Sequence, residues 1–178
     1  PSALAGLLEF AVTNSIPAVI CTTGLNDAQL NLIREASAKI PVFFSANMSL
    51  GVNLLIELAK KATALLQENF DIEIIEKHHN QKIDAPSGTA LALADGISEV
   101  LKNAPEYVYD RHNVRKARES NEIGMHAIRG GTIVGEHEII FAGRDEVISL
   151  KHEAHSKSVF AVGSVNAAVF LENKPAGL

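Results

Sequence analysis

The chain of 178 residues is long enough to bury one sizeable core, or to form one domain and a large part of a second. Charged residues make up 21%, and the net charge of −5 argues against a general affinity for nucleic acid or for an anionic membrane surface. The single cysteine, Cys21, excludes an internal disulfide framework and is typical of a cytoplasmic protein. No apolar run approaches the roughly 18 residues that a transmembrane helix needs, and no signal peptide is recognised.

The first part of the chain alternates helical and strand patterns, which predicts an α/β fold with a parallel sheet. Apolar residues with helical spacing predict a helix over residues 2–14. Short continuous apolar runs predict two buried parallel strands, at residues 16–21 and 40–46. Asn26 followed by Gln29 predicts a capping box at the start of the helix between them.

The middle of the chain has a less regular pattern. Residues 70–76, FDIEIIE, alternate as a strand that leads directly into two histidines. After Gly88 an apolar stripe with helical spacing continues as far as Leu101 and predicts a helix. The segment 103–128 is polar and rich in arginine, and we interpret it as an irregular, solvated excursion.

The last part predicts an antiparallel hairpin and a final helix. Two long strand patterns meet around Gly143, and a helical pattern follows after about residue 158. The parallel α/β arrangement is therefore interrupted and then resumed, which indicates an inserted domain. We expect residues 1–49 and 158–178 to form one domain and residues 50–157 to form the other.

Two loops follow the predicted parallel strands, and open α/β sheets bind ligands at that end of the strands. The first loop is Cys21-Thr22-Thr23-Gly24 and the second is Ser45-Ala46-Asn47-Met48. Their small and hydroxyl-bearing residues allow a planar or phosphorylated ligand to approach the backbone. The alternative is that both loops are ordinary strand-to-helix turns, and this alternative stays open.

A helix start near Ser87 is a candidate anion site. Backbone N–H groups at a helix N-terminus are unpaired and carry the positive end of the helix dipole. Gly88 permits close approach, Thr89 adds a hydroxyl and Lys82 adds a positive charge. A carboxylate or a phosphate would suit this position, and the alternative is a simple Ser87 N-cap.

The histidine pair before this helix start is a candidate for proton transfer. If the strand continues, His78 and His79 point to opposite sides, so only one of them faces a substrate. Imidazole is the commonest proton-transfer group near neutral pH, and Lys82 could protonate a developing carbanion. The alternative is a set of solvated polar residues that follow a strand.

Two other kinds of site are disfavoured. His152-Glu153-Ala154-His155 lacks the His-Glu-x-x-His spacing of zinc hydrolases and lies in a strand pattern, so we predict no metal. Ser87 lacks the Gly-x-Ser-x-Gly surroundings of a nucleophilic serine.

Residues 76–90, EKHHNQKIDAPSGTA, resemble the signature of the dihydrodipicolinate reductase family, Glu-x-His-His-x-x-Lys-x-Asp-x-Pro-Ser-Gly-Thr-Ala. Three further segments, VICTTG, FFSANMSLGVN and RGGTIVGEHEIIFAG, resemble the family in the same order, so the resemblance spans essentially the whole chain. It implies reduction of dihydrodipicolinate (4-hydroxy-tetrahydrodipicolinate) to tetrahydrodipicolinate with NADH or NADPH, in diaminopimelate and lysine biosynthesis. It also implies a partial Rossmann-type parallel domain, an inserted α+β domain with a mixed sheet for substrate binding and oligomerisation, and a homotetramer.

The resemblance also implies residue roles by motif position. His78 would donate or accept a proton, and Lys82 would be a second acid. The residues that would bind the cyclic dicarboxylate are His79, Gly88 and Thr89. The residues that would lie along the cofactor are Cys21, Thr22, Thr23, Ser45, Ala46, Asn47 and Met48.

The chain departs from the family pattern at several positions. Cys21 stands where the family has glycine, Met48 replaces a phenylalanine, and Lys157 replaces an arginine that would offer two parallel hydrogen bonds. The family's opening strand with its glycine-rich phosphate-binding turn is not present within these residues, so we expect a fragment of a longer chain. A second hypothesis is therefore a catalytically incompetent fragment that keeps the substrate domain and the oligomer interface.

Overall fold

The computed structural model describes residues 1–178, which form two compact units. The first unit contains Pro1–Ser49 and Ser158–Leu178, and the second contains Leu50–Lys157. In chain order the elements are α1 (Leu4–Thr13), β1 (Ala18–Ile20), α2 (Asp27–Ser37), β2 (Val42–Phe44), α3 (Leu50–Leu66), β3 (Asp71–His78), α4 (Gly88–Ser98), β4 (Glu106–Val108), β5 (Glu122–Arg129), β6 (Gly135–Ala142), β7 (Val147–Ala154) and α5 (Ser158–Leu171). The predicted α/β class, with one parallel and one mixed sheet, is confirmed. No helix has both the length and the apolar character needed to cross a membrane.

The first unit is built around β1 and β2, which pair in parallel. The capping box predicted for α2 is present, since Asn26 accepts a hydrogen bond from the Gln29 amide and the Gln29 side chain accepts one from the Asn26 amide. The core contains buried apolar residues of α1, α2 and the strands, among them Leu8, Ile33 and Val42. In the final helix, α5, the buried residues are Ala167 and Leu171.

The second unit is a five-stranded sheet in the order β4-β5-β3-β6-β7. β4, β5 and β3 are parallel, whereas β6 and β7 form the predicted antiparallel hairpin. Helices α3 and α4 cover one face of this sheet. Residues of β3 alternate in burial, so Ile72 and Ile74 join the core under the helices, whereas Glu73 and Ile75 lie on the opposite face.

The interpretation of residues 103–128 as an irregular excursion is wrong. This segment contains β4 and all but the last residue of the eight-residue strand β5, which pairs with the central strand β3 from Ile123 to Arg129. Ile123 and Met125 lie on the helix-covered face. The residues that alternate with them, Glu122, Gly124 and His126, hide this period in the sequence. The arginines are not simply solvated either, because Arg111 and Arg118 form ion pairs with Glu73.

Two element ends also differ from the prediction. Strand β3 extends beyond residue 76 and ends at His78, so the first histidine is the last residue of the strand. Helix α4 ends at Ser98 with Glu99 as its C-cap, so Leu101 lies outside it. The extension of β3 is the more important difference because it fixes the orientation of His78.

Candidate active site

The carboxyl-terminal half of β3 places two ionisable residues where its first half places core residues. Ile72, Ile74, Glu76 and His78 share one face because side chains alternate along a strand. Both polar residues are buried, and Glu76 is 0% exposed. A buried carboxylate needs hydrogen-bonded or charged partners, since an unpaired one would be strongly destabilising.

The Glu76 carboxylate receives four hydrogen bonds. Its Oε2 accepts from Nδ1 of His78 at 2.7 Å and from Arg129 at 2.8 Å. Its Oε1 accepts from Arg129 at 2.7 Å and from the backbone amide of Ser87 at 3.0 Å. A single carboxylate therefore connects the end of β3, the end of β5 and the start of α4.

These partners keep Glu76 ionised. Burial raises the pKa of its carboxyl, but the hydrogen bonds from His78 and Arg129 outweigh burial and lower that pKa to about 2. Since a carboxylate can only accept, the Nδ1 atom of His78 must carry the proton of their hydrogen bond. The other ring nitrogen, Nε2, is left for other contacts.

Ser87 and His137 form the second layer of the site. Ser87 is the N-cap of α4, and its hydroxyl oxygen accepts from the Ala90 amide at 3.2 Å. The same hydroxyl lies 3.0 Å from Nε2 of His137 on β6. The His137 ring in turn packs edge-on against His78, with ring centroids 5.2 Å apart.

His137 is neutral at ordinary pH. Burial, reinforced by the neighbouring His78, lowers the pKa of the His137 imidazole from 6.5 to about 4. A neutral ring can accept the hydroxyl proton of Ser87 through Nε2, which leaves that oxygen free to cap α4. The hydrogen bonds of Ser87 and His137 are therefore satisfied, and His137 adds no positive charge to that of Arg129.

Lys82 lies on the loop between β3 and α4. Its Nζ atom is 2.7 Å from Oδ1 of Asp84, and its backbone amide donates to the carbonyl of His79 at 3.1 Å. The hydrogen bond from Lys82 lowers the pKa of Asp84. Arg129 also donates to the Asp84 carbonyl at 2.7 Å, so the guanidinium that holds Glu76 holds this loop as well.

The residues predicted to bind a carboxylate lie at the first turn of α4. The Ser87 side chain caps the helix and bonds to the Ala90 amide, whereas Gly88 is exposed. A Cβ atom on Gly88 would meet no atom within 4 Å, so the space around the helix start is open. Thr89 is partly buried beside it, and His79 is partly exposed just beyond the strand.

The predicted cofactor residues lie in the first unit, in the loops that follow β1 and β2. The strands are adjacent and parallel, and the Ser45 amide donates to the Ile20 carbonyl, so the loops begin side by side. In the second loop the Ser45 hydroxyl donates to the Asn47 carbonyl at 2.8 Å. Met48 is buried while Ala46 is exposed.

The first loop leaves polar groups accessible. Thr22 is half-buried, Thr23 is exposed, and Gly24 ends the loop with a φ of 68°. The Cys21 sulfur lies 3.3 Å from the Ser164 hydroxyl of α5. The loop therefore lies at the carboxyl end of a parallel strand, where open α/β sheets bind ligands.

Sequence reasoning assigned no role to Glu76, Arg129 or His137, and it considered Ser87 as a helix N-cap, which the structure confirms. The period-two pattern of β3 was a signal for Glu76, because it places this residue on the same face as His78. Arg129 lies 53 residues from Glu76 and His137 lies 50 residues from Ser87, so no local pattern could have paired them. No group of three or more histidine, cysteine, aspartate or glutamate side chains is arranged to hold a metal ion.

Two family models match the chain. The model of the dihydrodipicolinate reductase N-terminus matches residues 1–48, and the model of the C-terminus matches residues 51–178. The chain belongs to the dihydrodipicolinate reductase family. It is a family of NAD(P)H-dependent oxidoreductases, as the sequence resemblance implied.

Individual relatives agree with the family models. The chain is 55% identical over 176 residues to the 4-hydroxy-tetrahydrodipicolinate reductase of Caldanaerobacter subterraneus subsp. tengcongensis, covering 99% of this chain and 70% of the relative. It is 52% identical over 178 residues to the enzyme of the same name from Clostridium tetani, covering 100% of this chain and 69% of the relative. Nothing in these comparisons favours the incompetent-fragment hypothesis.

A solved structure shows the same architecture. The dipicolinate-bound dihydrodipicolinate reductase from Paenisporosarcina sp. TG-14 aligns with a TM-score of 0.71 and 28% sequence identity. The alignment covers 100% of this chain and 69% of that protein.

Proposed function

We propose that the protein reduces dihydrodipicolinate (4-hydroxy-tetrahydrodipicolinate) to tetrahydrodipicolinate with NADH or NADPH, as a step of diaminopimelate and lysine biosynthesis. Family membership supports the reaction class, and the names of the relatives support the substrate. The observation that carries the site assignment is the Glu76 carboxylate, which hydrogen-bonds both His78 and the Ser87 amide at the N-terminus of α4.

The first turn of α4 is the proposed carboxylate site. The substrate is a ring with two carboxylates, and the exposed Gly88 amide with the positive end of the helix dipole favours an anion. Thr89 adds a hydroxyl, and the partly exposed His79 lies on the neighbouring segment. Binding there would hold the ring next to the end of β3.

His78 and Lys82 are the proposed proton-transfer residues. When bound, the nicotinamide cofactor supplies a hydride to the conjugated ring. The resulting enamine must take up a proton, and a protonated imidazole or ammonium group can deliver it. His78 is anchored on Glu76, and Lys82 lies on a loop that Arg129 also holds.

Residues of the two strand-end loops are the proposed contacts to the cofactor. They are Cys21, Thr22, Thr23, Ser45, Ala46, Asn47 and Met48. The first of these replaces a smaller residue of the family, and its sulfur lies against Ser164 rather than extending freely from the loop. Residues 1–49 with 158–178 would thus be the remnant of the dinucleotide-binding domain.

The second unit is the proposed substrate and assembly domain. Its sheet has helices on one face, and the opposite face carries Ile75 and Ile140, which are only partly buried, and the exposed Ile128. Such a face suits packing against another copy, and we propose a cytoplasmic homotetramer formed through these sheets.

Substitution of the proton-transfer residues tests this function. In the full-length protein, His78→Gln and Lys82→Ala should each lower kcat by at least about 10²-fold, because each removes a general acid. Cofactor affinity, measured by nicotinamide fluorescence, should stay within about two-fold. His155→Gln, at a histidine whose side chain is 88% exposed, is the matched control. Wild-type turnover in either active-site variant would refute the assigned roles.

A further inference from the structure

We propose that Glu76, held by Arg129, is a positioning residue that fixes the imidazole of His78 with its Nδ1–H on the carboxylate and its Nε2 over Gly135. This inference rests on the proposed function, in which His78 transfers a proton. It names the atom that does so and the groups that orient it.

The Glu76 side chain cannot turn without breaking several hydrogen bonds at once. Both of its oxygens are used, by Arg129, by His78 and by the Ser87 amide, within 2.7–3.0 Å. The side chain is only 1% exposed, so water cannot replace a lost partner. The direction of the Nδ1–H bond of His78 is therefore imposed by its surroundings.

Arg129 holds the carboxylate from the neighbouring strand. It lies opposite His78 in the parallel register of β3 and β5, and its two terminal nitrogens contact the two oxygens of Glu76. A guanidinium that bonds both oxygens of a carboxylate fixes its plane as well as its position. The carboxylate that accepts from the His78 imidazole is thereby fixed in place.

The opposite side of the imidazole faces a position without a side chain. A Cβ atom on Gly135 would lie 3.1 Å from Nε2 of His78 and 3.5 Å from its Cδ2. A methyl group there would crowd the nitrogen that the carboxylate leaves available. The glycine therefore keeps open the approach to Nε2.

The groups around His78 come from each adjoining element. They are Glu76 on β3, Arg129 on β5, the neutral His137 on β6, and Lys82 and Asp84 on the loop before α4. Arg129 is paired with Glu76, and Lys82 is paired with Asp84. Of the two carboxylates, Glu76 is the one that contacts the imidazole directly.

The proton transfer follows from this arrangement. The imidazolium form of His78 carries protons on both nitrogens, and the substrate carbon takes the one on Nε2. The electron pair of the N–H bond stays on the ring, which is left neutral with its proton on Nδ1 and still bonded to Glu76. The carboxylate keeps its charge throughout and gains no proton.

The tautomer of the wild-type protein is the first test. Two-dimensional ¹H–¹⁵N spectra of the imidazoles, recorded at alkaline pH with neutral rings, should show Nδ1 of His78 protonated and its Nε2 unprotonated. A neutral ring with the proton on Nε2 would overturn the proposal. This readout needs neither turnover nor a variant, so it remains informative if the proposed reaction is wrong.

Glu76→Gln is the second test, with Glu73→Gln as its matched control on the opposite face of the same strand. Loss of the carboxylate should lower kcat about 10²-fold, with a smaller change in KM, because a misoriented acid affects the transition state. The His78 tautomer should change as well, because a glutamine side chain can donate as well as accept and no longer requires the proton on Nδ1. Glu73→Gln should leave kcat and the His78 tautomer unchanged. Wild-type kcat in Glu76→Gln would refute the proposal.

Discussion

Strand β3 carries two clusters built from the same residue types on its opposite faces. On the helix-covered face Glu76 contacts one histidine and one arginine, whereas on the other face Glu73 contacts His126 and two arginines. Glu76 is fully buried, but the Glu73 side chain is 21% exposed. The buried carboxylate binds Nδ1 of its histidine, whereas Glu73 lies 2.7 Å from Nε2 of His126.

The difference shows that residue types alone do not make a site. In the Glu73 cluster the arginines also bond Asp71, Glu122 and backbone carbonyls, so the cluster links loop 109–121 to the sheet. In the Glu76 cluster the bonds converge on one imidazole and the helix start beside it. Burial makes the second arrangement rigid, and rigidity is what the proposed proton-transfer role of His78 requires.

The largest expected difference between the clusters is in stability. Glu76→Gln should lower the free energy of unfolding by about 3–5 kcal/mol, because breaking a buried pair leaves Arg129 facing a neutral amide. Glu73→Gln should cost at most about 1 kcal/mol, since water reaches this cluster. Urea unfolding followed by circular dichroism at pH 7 measures both. Equal losses would show that burial does not separate the two clusters.

The pH dependence of stability should come from the buried cluster. His137 has a pKa near 4 in the folded protein against 6.5 for an ordinary imidazole, so between these values the unfolded chain binds a proton that the native state does not. Stability should therefore fall as the pH is lowered, by about 2 kcal/mol between pH 6.5 and 5. Urea titrations at several pH values should show this slope.

Variants of both clusters test the origin of that slope. His137→Asn should remove most of it, whereas His126→Gln should retain it. Glu76 does not contribute in this window, because its lowered pKa of about 2 makes its stabilisation disappear only below the ordinary value of 4.5. A slope that survives in His137→Asn would assign the dependence to another group.

The smallest expected difference is in salt sensitivity. Ions screen exposed charges but reach buried pairs poorly. In 1 M NaCl the stability loss caused by Glu73→Gln should shrink by a few tenths of a kcal/mol, whereas the loss caused by Glu76→Gln should not change. Parallel urea titrations at low and high salt measure this. A similar reduction for both variants would contradict the assignment of Glu76 to a water-excluded position.

Local patterns predicted the elements whose signals lie within a few residues. The capping box of α2, the β6–β7 hairpin and the strand that leads into the histidines all depend on short spacings. Strand β5 was not predicted because its polar face carries Glu122, Gly124 and His126, which obscure the apolar alternation. Its place in the sheet depends on pairing with β3, which is a tertiary property.

The residues proposed for the candidate site could be named from the sequence for the same reason. His78, Lys82, Gly88 and Thr89 lie within one segment of the sequence, so a motif can identify them together. The groups that orient His78 come from β5 and β6, and they meet it only in the folded sheet. Among the groups that orient His78, only Glu76 could have been identified from a local pattern, because it lies two residues before His78.

The distance along the chain between Arg129 and Glu76 also bears on folding. These residues are 53 positions apart, and Ser87 and His137 are 50 apart, so neither pair can meet until the parallel and antiparallel partners of β3 have been recruited. Closing loops of this length has an entropic cost before any contact compensates for it, which makes such pairings slow. The orientation of His78 is therefore a late product of folding, reached only when the sheet of this unit is complete.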